Sequence, residues 1–270
     1  MYRDKTLAVV VPCRQAAERI GAVLRDLPSF VDRVIVVDDA STDGTAALAR
    51  RIAGADKARL GARVDVLTHP SPLGPGAATL TGYRAALAIG HELVLCLDDD
   101  AHLDGADVPA LLDPIVDGRA DFVKGSRLDH PEARRLPRAE VARGRVLAAL
   151  SRWLTGARVL HDAGCLHHAM TGEALRCLPM NELWRGDAFF LDLLSKVQGA
   201  RLVAIEVPVR PTSRCLVNRR VPHRLLLVAA RSALARLKPR RINVLPPTAR
   251  SAARVGQARE LNPPPARSLP

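Results

Sequence analysis

An apolar run that ends in three consecutive carboxylates constrains the fold of this chain more than any other feature. Residues 93–97 are Leu-Val-Leu-Cys-Leu, and Asp98, Asp99 and Asp100 follow directly. Because burying unpaired carboxylates costs a large free energy, the three aspartates must lie where this strand leaves its sheet. Open α/β sheets bind ligands at that edge. The run therefore predicts both a buried strand and a binding site at its end.

Two more apolar runs predict strands, and one of them also ends in carboxylates. Residues 33–37 lead into a pair of aspartates that ends in Asp39, and residues 7–11 lead into Pro12, which we expect to end a strand. Turn chemistry and a helix N-cap explain the polar residues of 41–45, but they do not explain Asp39. An acid at the carboxyl end of such a strand commonly holds a ribose hydroxyl.

The alternation of short apolar runs with amphipathic segments predicts an α/β fold with a mostly parallel, doubly wound sheet and helices on both faces. A chain of 270 residues can form one such domain with a sizeable core. We expect strands near 6–12, 33–38, 63–67, 93–98, 121–126 and 201–209. We expect helices near 16–26, 45–53, 77–89, 106–117, 139–155 and 187–198.

The spacing of the acidic residues predicts a metal site. Side chains two apart on an extended segment point the same way, so Asp98 and Asp100 can converge on one divalent cation. His102 continues the spacing and could add a nitrogen ligand. An all-oxygen site suits Mg²⁺, and a histidine ligand shifts the preference towards Mn²⁺. A solvated acidic turn would be the simpler interpretation if the other strand ends did not carry acids as well.

The strong positive charge of the chain has two candidate explanations. The formal net charge is +12, and aromatic residues make up only 3% of the chain, so it lacks the aromatic-interleaved basic platform typical of nucleic-acid binding. Residues 219–239 predict a basic amphipathic helix that is too short and too charged to span a bilayer. This helix either lies on an anionic membrane surface or packs on the domain. Residues 240–270, rich in proline and arginine, predict a disordered tail.

The cysteines and the start of the chain predict a cytoplasmic protein. There are five cysteines, an odd number, and no Cys-x-x-Cys pair. Reduced, buried thiols fit this pattern better than disulfides. The first five residues lead straight into a strand, and they do not resemble a signal peptide.

Taken together, these motifs resemble the family-2 glycosyltransferases with the GT-A fold. The resemblance covers about residues 5–218, and we expect a catalytic domain over 1–218. Within the family the chain most resembles the dolichyl-phosphate-mannose-synthase-like branch, which transfers a sugar from a nucleotide to a polyprenyl phosphate. The resemblance rests on VVVP at 9–12, VVDDASTDGT at 36–45, GPG at 74–76, LDDDAHLD at 97–104, KGSR at 124–127, HDAGC at 161–165 and AIEVPV at 204–209.

The resemblance implies roles for residues on the donor side. LDDDAHLD stands in the place of the family's Asp-x-Asp motif, so Asp98 would contact both the donor and the metal. Pro12, Val37 and Asp39 would flank the base and the ribose, with Asp99 near the ribose or the diphosphate. Arg14-Gln15-Ala16 replaces the family's usual Tyr-Asn-Glu, so the preferred base cannot be carried over.

Three basic residues are candidates for contacts with phosphate. Arg127, which we count among the catalytic and substrate-binding residues, leaves its strand at the same edge and could bind phosphate through two parallel hydrogen bonds. As an isolated residue it would be a surface salt-bridge partner, and its place in Gly-Ser-Arg favours the phosphate contact. His168 stands where relatives often carry a basic residue, which implies a contact with an acceptor phosphate. Arg214 lies in the loop after the last strand, although this loop is shorter than in relatives and lacks their lysine.

The chemical nature of the acceptor decides whether a catalytic base is needed. A polyprenyl phosphate oxygen is already anionic near neutral pH, whereas a hydroxyl acceptor requires a base within hydrogen-bond reach. Asp187 stands where hydroxyl-using relatives place their catalytic acid-base pair, although it could equally cap the helix that follows. His167 and His168 are the other candidates.

We therefore expect an inverting, metal-dependent glycosyltransferase that uses a UDP- or GDP-sugar and Mg²⁺ or Mn²⁺. Its expected acceptor is a polyprenyl phosphate at the inner face of the cell membrane. A soluble enzyme with a hydroxyl acceptor and Asp187 as base is the first alternative. A sugar-1-phosphate nucleotidyltransferase is the second, although residues 13–17 are not the glycine-rich basic loop that such enzymes carry. The sequence does not fix the sugar, the base or the oligomeric state.

Overall fold

The computed structural model describes residues 1–55, 63–98, 105–155 and 161–211. Within these residues, seven strands form one sheet, and seven α-helices pack around it. The strands are β1 (Leu7–Cys13), β2 (Arg33–Asp38), β3 (Arg63–Thr68), β4 (Leu93–Cys96), β5 (Phe122–Ser126), β6 (His168–Thr171) and β7 (Ala204–Pro208). The helices are α1 (Ile20–Asp26), α2 (Thr45–Ala55), α3 (Pro75–Ile89), α4 (Val108–Val116), α5 (Arg138–Thr155), α6 (Gly172–Cys177) and α7 (Phe189–Gly199).

The sheet is mostly parallel, as predicted. The strand order is β3-β2-β1-β4-β6-β5-β7, and β6 alone among these strands runs antiparallel to its neighbours. The carboxyl ends of β1, β2, β4, β5 and β7 therefore meet the amino end of β6 along one edge. The acids that the sequence places at strand ends belong to this edge.

Alternate side chains of each strand enter two different cores. Val10 and Val94 face one core, which α3 and α7 cover. Val9 and Leu95 face the other, which α1 and α4 cover. Because successive side chains of a strand point to opposite faces, a sheet buried on both faces requires continuous apolar runs. Each buried aliphatic side chain contributes roughly 1.5–3 kcal/mol to the free energy of unfolding.

Three details of the strands differ from the sequence prediction. Strand β6, together with the short helix α6 after it, was not predicted, because four residues beginning with His168 show no strand pattern. Strand β4 ends at Cys96, two residues earlier than expected. Pro12 does not end β1, which continues to Cys13 with Pro12 paired opposite Val37.

The cysteines of the described residues carry free thiols. Cys13, Cys96 and Cys165 are buried, and Cys177 is exposed. Burial raises the pKa of the Cys165 thiol to about 12. These three buried thiols act as small apolar side chains in the cores.

The predicted basic helix over 219–239 and the predicted tail over 240–270 lie outside the described residues. None of the helices in the described part of the chain combines the length and the apolar character needed to cross a membrane.

Candidate active site

A cleft opens at the carboxyl end of β4. Its walls are mostly apolar, and two carboxylates, Asp98 and Asp187, lie on it. Asp98 follows β4, whereas Asp187 precedes α7, so the fold brings together two predicted site residues that are far apart in sequence. The other residues that line the cleft are Pro75, Gly76, Thr79, Cys96, Leu97, Leu166, His168, Gly186, Phe189 and Phe190.

Gly74 and Gly76 allow the segment before α7 to pack against the start of α3. The φ angle of Gly74 is +101°, a conformation that favours glycine. A Cβ on Gly76 would lie 2.5 Å from the carbonyl oxygen of Trp184. The amide of Ala77 donates a 2.9 Å hydrogen bond to the carbonyl of Arg185. The two glycines thus allow close packing of the chain that forms one wall of the cleft.

Asp187 is exposed and lies two residues before α7. The N-cap residue of that helix is Ala188, and no side-chain hydrogen bond caps the helix. The N-cap position of α7 is therefore occupied by Ala188 and not by Asp187. A carboxylate on the cleft wall can accept a proton from a ligand bound in the cleft, and its acid-base role stays a prediction.

Asp98 is half-buried where the chain leaves β4. The amide of Leu97 still donates to the carbonyl of Val10 in β1, at 2.9 Å. The amide of Asp98 donates to Nδ1 of His167, at 3.3 Å, on the opposite side. Four other residues with predicted contacts lie outside the described residues. They are Asp99, predicted to contact the donor, Asp100 and His102, predicted to bind the metal, and Arg214, predicted to contact the acceptor.

Asp39 is buried beneath the loop that precedes α3. Its Oδ1 accepts hydrogen bonds from Nδ1 of His69 at 2.7 Å and from the amide of Leu73 at 2.8 Å. Its Oδ2 accepts from the amide of Gly74 at 2.9 Å. Burial opposes ionisation, but these bonds outweigh it and hold the pKa of Asp39 below its ordinary value. Asp39 therefore anchors the loop that carries Gly74, and its predicted contact with a ribose stays a prediction.

The two other residues predicted to flank the nucleotide base differ in exposure. Pro12 is half-buried near the carboxyl edge of β1. The side chain of Val37 has no exposed surface and belongs to the core under α3. The expectation that Val37 flanks a base is therefore wrong for its side chain, because β2 directs that side chain into the core.

Arg127 binds a carboxylate of the protein where we expected it to bind phosphate. Its Nε and Nη2 donate to the two oxygens of Asp162, at 2.8 and 3.0 Å, and its amide donates to Oδ2 at 3.0 Å. The Arg127 side chain is only 5% exposed. Burial disfavours the charged form of Asp162, but the bonds and charge of Arg127 hold the pKa of Asp162 below its ordinary value. The two parallel bonds thus hold residues 161–165 in place, which corrects the predicted role.

A buried ion pair that sequence reasoning missed supports the same segment. Nζ of Lys124 donates to Oε1 of Glu206 at 2.6 Å and to the carbonyls of Gly125 and Asp162, at 2.8 and 2.6 Å. Oε2 of Glu206 accepts from the amide of His161 at 2.6 Å. A signal was present, since Lys124 and Glu206 are the only charged residues of β5 and β7 and lie directly opposite each other.

His168 is buried with both ring nitrogens bonded inside the protein. Its Nε2 accepts from the hydroxyl of Tyr83, and its Nδ1 donates to the carbonyl of Leu166 at 2.5 Å. The ring stacks on Phe122 and contacts Phe190. Burial lowers the pKa of His168 to about 4, so the ring is neutral near pH 7. The expectation of a cationic contact with an acceptor phosphate is therefore wrong.

Asp129, His161 and Glu206 also bring metal-ligand atoms together, all within 4.8 Å of one another. Contacts within the protein account for this group, because Nδ1 of His161 lies 3.4 Å from Oδ2 of Asp129 and 3.2 Å from Oε2 of Glu206. Lys124 already neutralises Glu206. Strand β7 is separated from β4 by β6 and β5, so this group lies roughly 14 Å away along the sheet, and it does not line the cleft.

Comparisons with known proteins identify the family. The family model described as "Glycosyl transferase family 2" matches residues 8–163. The chain belongs to this family. Polyprenol monophosphomannose synthase of Mycolicibacterium smegmatis is 30% identical over 212 residues, which cover 76% of this chain and 77% of the relative. Undecaprenyl-phosphate mannosyltransferase of Micrococcus luteus is 25% identical over 219 residues, which cover 74% and 81%.

Solved structures confirm the predicted GT-A fold of this glycosyltransferase. The crystal structure of glucosyl-3-phosphoglycerate synthase from Mycobacterium tuberculosis, in complex with Mn²⁺, UDP and glucosyl-3-phosphoglycerate, has a TM-score of 0.59. The identity is 23%, and the match covers 88% of this chain and 82% of that one. The polyprenol and undecaprenyl-phosphate relatives support the branch that the sequence motifs indicate. Membership of the family leaves the nucleotidyltransferase alternative without support.

The donor atoms of this glycosyltransferase fit a divalent cation at Asp98. Asp98 lies on the cleft, and two carboxylates and an imidazole follow it in the sequence at 99, 100 and 102. Carboxylate oxygens suit Mg²⁺, and a mixed oxygen and nitrogen set suits Mn²⁺. A cation held there would face a ligand that occupies the cleft.

Proposed function

We propose that this glycosyltransferase transfers a sugar, with inversion, from a UDP- or GDP-sugar to a polyprenyl phosphate. The observation that carries the proposal is the cleft itself, in which mostly apolar walls suited to a hydrocarbon chain meet carboxylates suited to a metal-bound diphosphate. The names of two relatives, a polyprenol monophosphomannose synthase and an undecaprenyl-phosphate mannosyltransferase, support the lipid phosphate as acceptor.

On the donor side, Asp98 and Asp100, with His102, would hold Mg²⁺ or Mn²⁺. When bound, the cation neutralises the charge that develops on the departing nucleoside diphosphate. Asp39 and Asp99 would contact the nucleotide, with Asp39 already ionised and held in place by the loop before α3. On the acceptor side, Arg214 would bind the phosphate, whose oxygen is anionic near neutral pH and needs no base.

A hydroxyl acceptor is the second candidate, and the position of Asp187 favours it. Asp187 lies on the cleft and does not occupy the N-cap of α7, so its carboxylate could take the proton of a hydroxyl nucleophile. The structural neighbour bound to glucosyl-3-phosphoglycerate supports this candidate.

One experiment separates the two candidates. The full-length enzyme would be incubated with UDP- and GDP-sugars, Mn²⁺, and either undecaprenyl phosphate or 3-phosphoglycerate, and products would be measured by mass spectrometry. We expect a glycosylated lipid phosphate, and we expect Asp187→Asn to slow its formation only slightly. A glycoside of 3-phosphoglycerate whose formation falls about 100-fold or more in Asp187→Asn, the typical loss for a general base, would favour the hydroxyl acceptor.

The proposed role of His102 as a metal ligand has its own test. We expect His102→Ala to raise the Mn²⁺ concentration needed for half-maximal turnover, because the site loses a nitrogen donor. The same titration with Mg²⁺ should change less, since Mg²⁺ prefers oxygen ligands. Unchanged titrations with both metals would remove His102 from the site.

We further propose that the basic segment over 219–239 holds the enzyme at an anionic membrane surface on the cytoplasmic side. Each lysine or arginine near such a surface contributes about 1 kcal/mol. Truncation after residue 218 should abolish sedimentation with anionic liposomes at low salt and should leave nucleotide-sugar binding intact. A full-length protein that stays in the supernatant at low salt would contradict this role. The basic residues concerned are Arg219, Arg220, Arg224, Arg231 and Lys238.

A further inference from the structure

His167 joins two strands at the point where the cleft carboxylates begin. It directly precedes β6 and is 4% exposed. Its carbonyl accepts a hydrogen bond from the amide of Gly125 in β5, at 2.9 Å. Its Nδ1 accepts from the amide of Asp98 after β4, at 3.3 Å. The residue therefore connects the exit of β4 to β5 across the end of β6.

The imidazole of His167 takes the place of a backbone acceptor in the sheet. Amides alternate in direction along a strand, so Leu97 bonds to β1 while Asp98 faces the β6 side. In the register of β4 with β6, where Cys96 lies opposite His168, the residue opposite Asp98 is Leu166. The carbonyl of Leu166 instead accepts from the ring of His168. The ring of His167 supplies the acceptor that the Asp98 amide requires.

This hydrogen bond fixes the tautomer of His167. A backbone amide can only donate, so Nδ1 must carry the lone pair and the proton must be on Nε2.

We propose that His167 is a positioning residue that sets the direction in which the chain leaves β4 at Asp98, and thereby the placement of the Asp98 carboxylate as a ligand of the cation. The inference rests on the proposed function, because it takes Asp98 as a metal ligand. His167 is not among the residues that line the cleft. Its contribution is to fix the strand end that carries Asp98.

The test compares two substitutions of similar size in the full-length protein. His167→Asn keeps an acceptor close to the position of Nδ1, whereas His167→Leu removes it. We expect His167→Leu to weaken Mn²⁺ binding about 10-fold or more, the effect typical of residues that support metal ligands. We expect His167→Asn to bind Mn²⁺ almost as the wild type does. Binding would be measured from the electron paramagnetic resonance signal of free Mn²⁺, with and without UDP.

Two further variants separate a failure of this inference from a failure of the proposed function. His91→Leu removes a buried histidine at the opposite end of β4 and should leave Mn²⁺ affinity unchanged. Asp98→Asn should abolish binding. Normal Mn²⁺ affinity in Asp98→Asn would overturn the metal site, and the inference with it. Loss in Asp98→Asn with normal affinity in His167→Leu would overturn the positioning role alone.

A direct measurement keeps the inference testable if His167→Leu does not fold. Nitrogen-15 spectra of the wild type, assigned by the signals missing from His167→Asn, report which ring nitrogen carries the proton. We expect the Nε2–H tautomer. An Nδ1–H tautomer would overturn the inference, because that nitrogen could not accept from Asp98.

Discussion

Replacing Lys124 with methionine should destabilise the β5–β7 edge of the sheet, mainly by leaving the Glu206 carboxylate without its cation. The Glu206 side chain is 3% exposed, and Lys124 is its buried cation. Without the ammonium group, the Glu206 carboxylate would stay buried with no buried cation beside it. The amides of His161 and Asp162, at 2.6 and 3.5 Å, and Nδ1 of His161, at 3.2 Å, would remain close to its oxygens. Methionine fills a similar volume, so the main loss is electrostatic.

The magnitude follows from the burial of the pair. Removing one partner of a buried ion pair typically costs about 3–5 kcal/mol. The hydrogen bond from His161 is retained, so we expect a loss near the lower limit, about 3 kcal/mol. For a chain of this size a loss of 1 kcal/mol lowers Tm by roughly 2–4 °C, which gives a decrease of roughly 6–12 °C. In Lys124→Met/Glu206→Gln the buried charge is gone, so we expect the double variant to lose less than the sum of the single losses by at least 1 kcal/mol.

Urea unfolding at pH 7 and 25 °C measures these differences. The matched control is the exposed pair of Lys196 and Glu182, whose nitrogen and oxygen lie 3.0 Å apart. Removing the charge of Lys196 should cost about 1 kcal/mol or less, as for other surface pairs. A loss below 1 kcal/mol in Lys124→Met, or single losses that simply add in the double variant, would refute the reasoning.

Three further predictions concern packing and pH. A Cβ on Gly82 would lie 2.2 Å from Cγ1 of Val10. Gly82→Ala should therefore lower the free energy of unfolding, measured in urea, by about 1–3 kcal/mol. The control is Gly54→Ala, whose added Cβ lies in open space on α2 and should not lower it. Burial lowers the pKa of His168 from 6.5 to about 4. Its contribution to stability is therefore complete above pH 6.5 and is lost as the pH falls towards 4, by up to about 1.4 kcal/mol per pH unit. Burial also lowers the pKa of His167, to about 3, so the loss of stability between pH 7 and pH 5 should be smaller in His168→Gln than in the wild type, and an equal loss would contradict the prediction. Both ring nitrogens of His91 are buried without a hydrogen-bond partner in the described structure. His91→Leu should therefore raise the free energy of unfolding by about 1 kcal/mol. A decrease of similar size would show that the ring nitrogens do have hydrogen-bond partners.

The parts of the fold that the sequence predicted are those with a strong local signal. Continuous apolar runs located β1, β2 and β4, because strands buried on both faces must be apolar throughout. The acids that follow β2 and β4 located the sheet edge that carries Asp39 and Asp98. Strand β6 gave no such signal. Its four residues are strand because β4 and β5 pair with them on either side, which only the tertiary structure provides.

The roles of the basic residues were harder to predict for a related reason. Arg127 and His168 were assigned to phosphate from their place in motifs, but a motif does not show which partner the fold brings to a side chain. Asp162 reaches Arg127 from 35 residues away in the sequence, and Tyr83 reaches His168 from 85 residues away. In both cases another residue of the protein is the hydrogen-bond partner, where the motif had suggested a ligand.

Sugar transfer in the presence and absence of metal tests the central proposal most directly. The assay would follow turnover of the nucleotide-sugar with undecaprenyl phosphate by the wild type, Asp98→Asn and Asp100→Asn, each with Mn²⁺ and with excess EDTA. Because a metal site supplies several kcal/mol of transition-state stabilisation and about 1.4 kcal/mol corresponds to a tenfold rate, we expect each variant and the EDTA treatment to lower turnover roughly 100-fold or more. Urea unfolding of the variants should match the wild type. Transfer that persists in excess EDTA, or at the normal rate in both variants, would contradict the proposal.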